Sequence, residues 1–153
     1  MPTLPPFQQL LDAHALEVHR FLRGLVGPDS ADDCLQDALL SALRAYPRLR
    51  NADNLRAWLF TIAHRKGIDH LRRNGRERPA ADMPERAISN AEPPDHGLWN
   101  QVAKLPDKQR AAITLRYVGD MTYATIAEII DCSEPAARQN VRAGLTRLRK
   151  ATG

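Results

Sequence analysis

Aromatic residues make up only 5% of the sequence, while alanine, leucine and arginine abound, a balance that favours helices over sheets. No apolar run approaches the roughly 18 residues that a membrane-spanning helix needs. The first residues, MPTLPPFQQLL, hold neither a basic segment nor a continuous apolar stretch, so they do not read as a secretory leader. Cysteine is nearly absent. Cys34 and Cys132 are too few and too far apart for a disulfide framework or a zinc site, and they read as small buried apolar residues. The five histidines show no ligand spacing. No nucleophile is paired with a base, no glycine-rich loop is set to cradle a phosphate, and no metal-ligand cluster stands out. These absences argue against an enzyme, a bound metal or a cofactor. They leave an all-α chain without a membrane span, expected in the cytoplasm.

What is present is concentrated near the C-terminus, in MTYATIAEIIDCSEPAARQNVRAGLTRLRK, residues 121–150. A helix is predicted from about Thr122 to Ile130, with Ile126, Ile129 and Ile130 on one face. Asp131-Cys132-Ser133 then forms a tight turn, with Ser133 placed to cap the next helix and Pro135 tolerated in its first turn. The second helix repeats Ala137, Val141, Leu145 and Leu148 at helical spacing. Its other face carries Arg138, Gln139, Arg142 and Arg147, and no acidic residue occurs from Arg138 to the end. A short connection, a buried stripe and a basic outer face are the requirements of a major-groove recognition helix. A surface helix hairpin with a solvated basic face would share the same pattern.

The chain divides into three parts. Residues 7–73 and 96–150 have helical periodicity. Residues 74–95 are polar and hold four of the eleven prolines, the composition of a flexible, mostly extended linker. The net charge of +4 is carried by the two outer parts. Within the first, residues 1–43 hold six carboxylates (Asp12, Glu17, Asp29, Asp32, Asp33, Asp37) against Arg20 and Arg23, whereas residues 44–73 hold eight cations (Arg44, Arg48, Arg50, Arg56, Arg65, Lys66, Arg72, Arg73) against Asp53 and Asp69. One surface suits a protein partner and the other a phosphate backbone.

Three helices are predicted in the first part. Phe7–Leu25 is amphipathic and stops at Gly27-Pro28. Asp29-Ser30 offers caps for a second helix with an apolar stripe of Leu35, Leu39, Ala42 and Leu43, ended by Pro47. A third starts near Asp53 or Asn54 and runs to Arg73, with Trp58 as a packing anchor or a base-stacking platform. Between the last two, Arg48, Arg50, Asn51 and Asn54 crowd a loop. Such groups hold phosphates and read unstacked bases, and Asn and Asp also serve as turn formers and caps.

The segments ADDCLQDALLSALRAY, AWLFTIAHRKGIDHLRR and, after the linker, LPDKQRAAITLRYVGDMTYATIAEI follow one another in an order that resembles the extracytoplasmic-function sigma factors of bacterial RNA polymerase. The resemblance spans about residues 7–150. It implies two small helical domains joined by a flexible linker, the second a helix-turn-helix. It further implies that Asp33, Gln36 and Asp37 bind core polymerase, with Asp37 where relatives also carry Glu. Arg48, Arg50, Asn51, Asn54, Arg65, Lys66, Arg72 and Arg73 would melt and read the minus-ten element, Arg65 standing where many members have Asn. Thr122, Arg138, Gln139, Arg142 and Arg147 would read the minus-thirty-five element, on a helix that departs from the commoner Ser-x-Gly-Thr-Val-Lys-Ser-Arg pattern.

The partners expected from this are core RNA polymerase, promoter DNA and an anti-sigma factor acting in trans. Residues 74–95 reach on the order of 70 Å when extended, against about 34 Å for one turn of DNA, so two modules on one chain can hold elements about two turns apart. Two other functions fit parts of the pattern. One is a stand-alone helix-turn-helix regulator; the other is a sigma-like protein that sequesters an anti-sigma factor.

Overall fold

The computed structural model describes residues 4–50, 53–77 and 96–152. Among them are seven α-helices, one 3-10 turn and no strand, the class that the residue balance predicts. Asn51 and most of the expected linker lie outside the described residues.

Helix α1 (Phe7–Val26) buries Leu10, Val18, Phe21, Leu22, Leu25 and Val26 along one stripe, as the helical period requires. It ends at Gly27, whose φ of 91° belongs to the left-handed side that glycine tolerates. Pro28 then opens α2 (Pro28–Ala45) in its first turn. Asp29 and Ser30 therefore do not cap α2, because the helix has already begun at Pro28. Asp29 instead sits in the first turn, where its charge favours the helix dipole.

The buried face of α2 also differs from the predicted stripe. Ala31, Cys34, Ala38 and Ala42 are buried, while Leu35 and Leu39 only flank the core and Leu43 is 51% exposed. Small side chains let α2 lie close to both α1 and α3, with which it packs, and this turns the leucines outward. Cys34 is buried as expected.

Tyr46 begins the 3-10 turn Tyr46–Arg48. Its ring packs 5.2 Å from that of Phe7 and 6.0 Å from that of Trp58, and its hydroxyl donates to the Pro5 carbonyl. Trp58 is thus a packing anchor. Helix α3 (Leu55–Glu77) runs four residues past the predicted stop at Arg73, since the sequence offers no proline before Pro79. Gly67 marks its approach to α1: a Cβ there would lie 2.5 Å from Leu25 Cδ2.

The second half comprises α4 (His96–Ala103), α5 (Asp107–Tyr117), α6 (Tyr123–Ile130) and α7 (Glu134–Thr152). Its centre is Ile113, Leu115, Met121, Ile126, Ile129, Ile130, Ala137 and Val141, all buried. Gly144 of α7 sits where a Cβ would meet Ile113 Cδ1 at 2.3 Å. The two halves are not separate bodies: α1 packs on α4 and α5, α3 packs on α6, and their buried residues form one apolar cluster.

Alanine is intrinsically better than glycine in a helix by up to about 1 kcal/mol. At Gly67 and Gly144 the steric cost is expected to win, because Leu25 and Ile113 are themselves buried and cannot swing away. Gly67→Ala and Gly144→Ala should each destabilise the fold by about 1–3 kcal/mol, read from urea unfolding midpoints. Midpoints at or above that of the parent chain would show that the helices have room to spare.

Candidate nucleic-acid interface

On α2, Asp33, Gln36 and Asp37 occupy positions i, i+3 and i+4, so they form one row, and all three are exposed. The row leads into a groove of about 600 Å³ between α2 and α3. Asp37, Ser41 and Arg44 line its α2 side, and Lys66, Asp69, Arg72 and Arg73 its α3 side. Four cations against two carboxylates leave this groove with an excess of positive charge, which favours anions near it. The fold thus brings Lys66, Arg72 and Arg73 together and adds Arg44, which the sequence reading counted only as part of the basic run. The missed signal is helical phase: Arg44 is seven residues after Asp37, two turns along the same face.

Arg65 is exposed but does not line that groove. It lines a second one, of about 320 Å³, where Thr61, His64, Arg65 and Arg72 of α3 face Glu128 of α6 and Asp131 of the following turn. Arg48 and Arg50 are exposed beside the 3-10 turn. Asn54 caps α3, its Oδ1 accepting from the Ala57 N–H at 3.1 Å. The capping alternative therefore describes Asn54. Asn51 lies outside the described residues, and Arg56, counted with the basic run, turns inward to Glu17.

The helix-turn-helix follows its predicted course. Thr122 caps α6, its Oγ1 accepting from the Thr125 N–H at 3.2 Å, so this hydroxyl has a structural task. Asp131 ends the helix in the left-handed region, at φ 58° and ψ 60°, a conformation that Asp tolerates better than most side chains. The Cys132 N–H closes the turn on the Ala127 carbonyl at 3.0 Å, and Ser133 Oγ accepts from the Ala136 N–H at 3.1 Å as the cap of α7.

Along α7, Ala137, Val141 and Leu148 are buried and Leu145 half-buried, while Arg138, Gln139, Arg142 and Arg147 are exposed. Arg138 is partly held in place. Its Nη2 lies 2.7 Å from Glu134 Oε1, and its guanidinium lies 5.3 Å from the centre of the Tyr123 ring, which Arg116 approaches to 4.5 Å. Exposed pairs of this kind contribute about 1 kcal/mol or less, enough to orient a side chain without sequestering it. The support from Tyr123 arises only once α6 and α7 cross, whereas Glu134 stands four residues before Arg138 on α7 itself, an i, i+4 pair that spacing alone can reveal.

Residues 10–77 match sigma-70 region 2 and residues 96–148 match sigma-70 region 4. The extracytoplasmic-function sigma factor SigM of Bacillus subtilis is 30% identical over 129 residues, 77% of each chain. This chain belongs to the sigma-70 family. Several of its relatives are extracytoplasmic-function sigma factors, among them RpoE of Cereibacter sphaeroides, 28% identical over 94% of this chain and 84% of that one. The solved sigma factor RpoE in complex with the anti-sigma factor NepR from Bartonella quintana superposes with a TM-score of 0.79, at 26% identity over 94% of both chains. CnrH in complex with the cytosolic domain of CnrY shares the fold at a TM-score of 0.71 and 23% identity, over 95% of this chain and 86% of that one. Region 2 of this sigma factor is therefore built from α1–α3, and region 4 from α4–α7. Among the described residues, no helix is long and apolar enough to cross a membrane.

His64 lies inside this sigma factor's second groove, and its Nε2 has no hydrogen-bond partner. Burial, with Arg65 beside it, pulls the imidazole pKa down to about 4 from an ordinary 6.5, against an opposing pull from Asp107. The folded pKa is thus below the unfolded one, so stability is complete above pH 6.5 and is lost as the pH falls toward 4. The loss attributable to His64 should reach about 3 kcal/mol. His64→Gln, which cannot ionise, is expected to flatten urea-measured stability between pH 7 and 5.5, above the ordinary value of 4.5 from which Glu17 is lowered. An unaltered pH slope in that variant would assign the effect to other groups.

Proposed function

We infer that this sigma factor binds core bacterial RNA polymerase and directs it to promoters for transcription initiation, using two separate DNA-reading surfaces. The exposed row Asp33, Gln36 and Asp37 docks on the polymerase. The basic face of α3, with Lys66, Arg72 and Arg73 in the α2–α3 groove and Arg65, Arg48 and Arg50 beside it, takes the minus-ten strand. Arg138, Gln139, Arg142 and Arg147 of α7 enter the major groove at the minus-thirty-five element. The observation that carries this reading is the coexistence of both exposed cationic faces with an acidic docking row, in a chain that matches regions 2 and 4 in order.

The chemistry is binding alone. Unstacking bases at the minus-ten element costs a few kcal/mol per step, offset by contacts to the opened strand. Covalent linkage of the two regions raises the effective concentration of the second once the first is bound, so two weak readers give usable specificity. The protein itself breaks and makes no bond and acts in the cytoplasm. An anti-sigma factor is its natural regulator, since RpoE of Bartonella quintana, which shares its shape over nearly the whole chain, is found bound to one. A decoy that only sequesters such a factor would have no use for cations on both DNA faces, and these are exposed.

Transcription with bacterial core polymerase on a library of genomic fragments tests this directly. Arg138→Ala or Arg142→Ala should weaken initiation at promoters that depend on the minus-thirty-five element by roughly 1–3 kcal/mol per contact, about 5- to 150-fold. Asp33→Ala combined with Gln36→Ala should instead reduce assembly with core polymerase in a gel-shift, with unchanged helical content. Full activity in both arginine variants would mean that another face of α7 meets the groove.

A further inference from the structure

Three helices of region 4 meet at one aromatic ring. Tyr123 opens α6 directly after its Thr122 cap and is half-buried. Arg116, near the end of α5, holds its guanidinium carbon 4.5 Å from the centre of that ring, and its Nη1 donates to the Met121 carbonyl at 2.8 Å. Arg116 is therefore tied to the chain two residues before the ring, and the ring cannot swing without giving up that stack. The guanidinium carbon of Arg138, on α7, lies 5.3 Å from the same ring centre. An aromatic face carries negative potential that draws cations within about 6 Å, so one tyrosine positions both arginines.

The two restraints on Arg138 differ in what they consume. Glu134 takes a guanidinium N–H, with Nη2 2.7 Å from Oε1. A phosphate or a base edge needs the same donors, so the carboxylate competes with DNA for them. A cation–π contact draws on the charge and leaves the N–H donors free. Tyr123 can keep its hold while the donors are redirected, whereas Glu134 must let go. Glu134 is also an anion that repels phosphates, and Tyr123 is neutral.

The neighbours on α7 lack this arrangement. Asn140 spends its amide nitrogen on the Ala136 carbonyl at 3.0 Å, inside its own helix. Among the described residues, Arg138 alone of the α7 cations is held by both a carboxylate and a ring. An arginine reads guanine through two parallel hydrogen bonds, which requires its planar fork to point in one direction. A fork aimed beforehand loses less freedom on meeting the matching base. The aiming therefore bears on sequence discrimination more than on general attraction to phosphates.

We propose that Tyr123, steadied by Arg116, is a positioning residue: through its ring rather than its hydroxyl it aims the Arg138 guanidinium into the major groove, and so sets the discrimination at the base pair that Arg138 reads. Glu134 is a stand-in for the DNA anion and occupies the donors until they are exchanged. The proposal rests on the sigma-factor reading above. It adds a residue of α6 whose effect is confined to one position of the minus-thirty-five element.

The test uses the full chain assembled with core polymerase, on a promoter which that assembly selects from genomic fragments. Initiation is measured on every single-base variant of the minus-thirty-five element. Arg138→Ala marks the base pair at which Arg138 discriminates. Tyr123→Leu, which keeps an apolar side chain between α6 and α7, should lower discrimination at that pair by about two- to fivefold, the worth of one exposed cation–π contact, and leave the other pairs as they were. Tyr123→Phe should keep the parent pattern. Glu134→Gln should raise initiation on all variants alike, an anion near the phosphates having been removed, and keep discrimination at the marked pair. Four results would each overturn the proposal: Arg138→Ala alters discrimination nowhere, Tyr123→Leu leaves the pattern intact, Tyr123→Leu weakens every pair evenly, or Tyr123→Phe falls as far as Tyr123→Leu. Should Tyr123→Leu lose its urea unfolding transition, Glu134→Gln decides: discrimination kept supports the ring, and discrimination lost assigns the aiming to the carboxylate. Should the parent chain start no RNA, the sigma-factor reading falls. The same variants are then compared on duplexes that the full chain selects from a random pool, and a chain that selects none overturns the positioning role as well.

Discussion

The last turn of α1 is the point on which the structure depends. Within four residues, Leu22 and Leu25 press on Gly67 of α3, and Gly24 lies against Thr114 and Trp99 of region 4. The Leu25 carbonyl accepts Arg110, and Gly27 then turns the chain into α2. Close approach on two sides is possible because one helix of each touching pair offers no side chain at the crossing. Dispersion contacts fall off steeply with distance, so a shift of α1 here would loosen both halves together.

The helix-turn-helix was legible in detail because its determinants are local. The caps at Thr122 and Ser133, the left-handed Asp131 and the buried stripe of α7 each act within four residues or at helical spacing. Helix α2 was placed correctly, but its buried face was misread. Hydrophobic periodicity favours large side chains, and the fold buried alanines instead, because two helices come close on that side. The cations of residues 44–73 were visible as a block, yet their division was not. Arg56 turns inward to Glu17, Arg44 and Lys66 join the α2–α3 groove, and Arg65 faces region 4. Partners 39 or 63 positions away leave no trace in local pattern.

Helix α7 shows how a weak pair can orient a charged side chain. Arg138 near the start of α7 is oriented by Glu134 and Tyr123, both exposed or half-exposed, so the pair can part at little cost. Among the described residues, no comparable ion pair or ring contact holds Arg142 or Arg147, which keep more conformational freedom. The first turn of the helix is thus the most preorganised, and it is the part that meets base edges in this class of motif.

The row of small residues under α2 has a consequence for the surface above it. With alanines and one thiol as its fully buried side chains, that helix rides close on its neighbours, with Leu35 and Leu39 packed only along its flank. Any added volume beneath it, an oxidised Cys34 included, would lift Asp33, Gln36 and Asp37 together as a rigid strip. The position of that exposed acidic row is in that sense set from inside the protein as much as from its face.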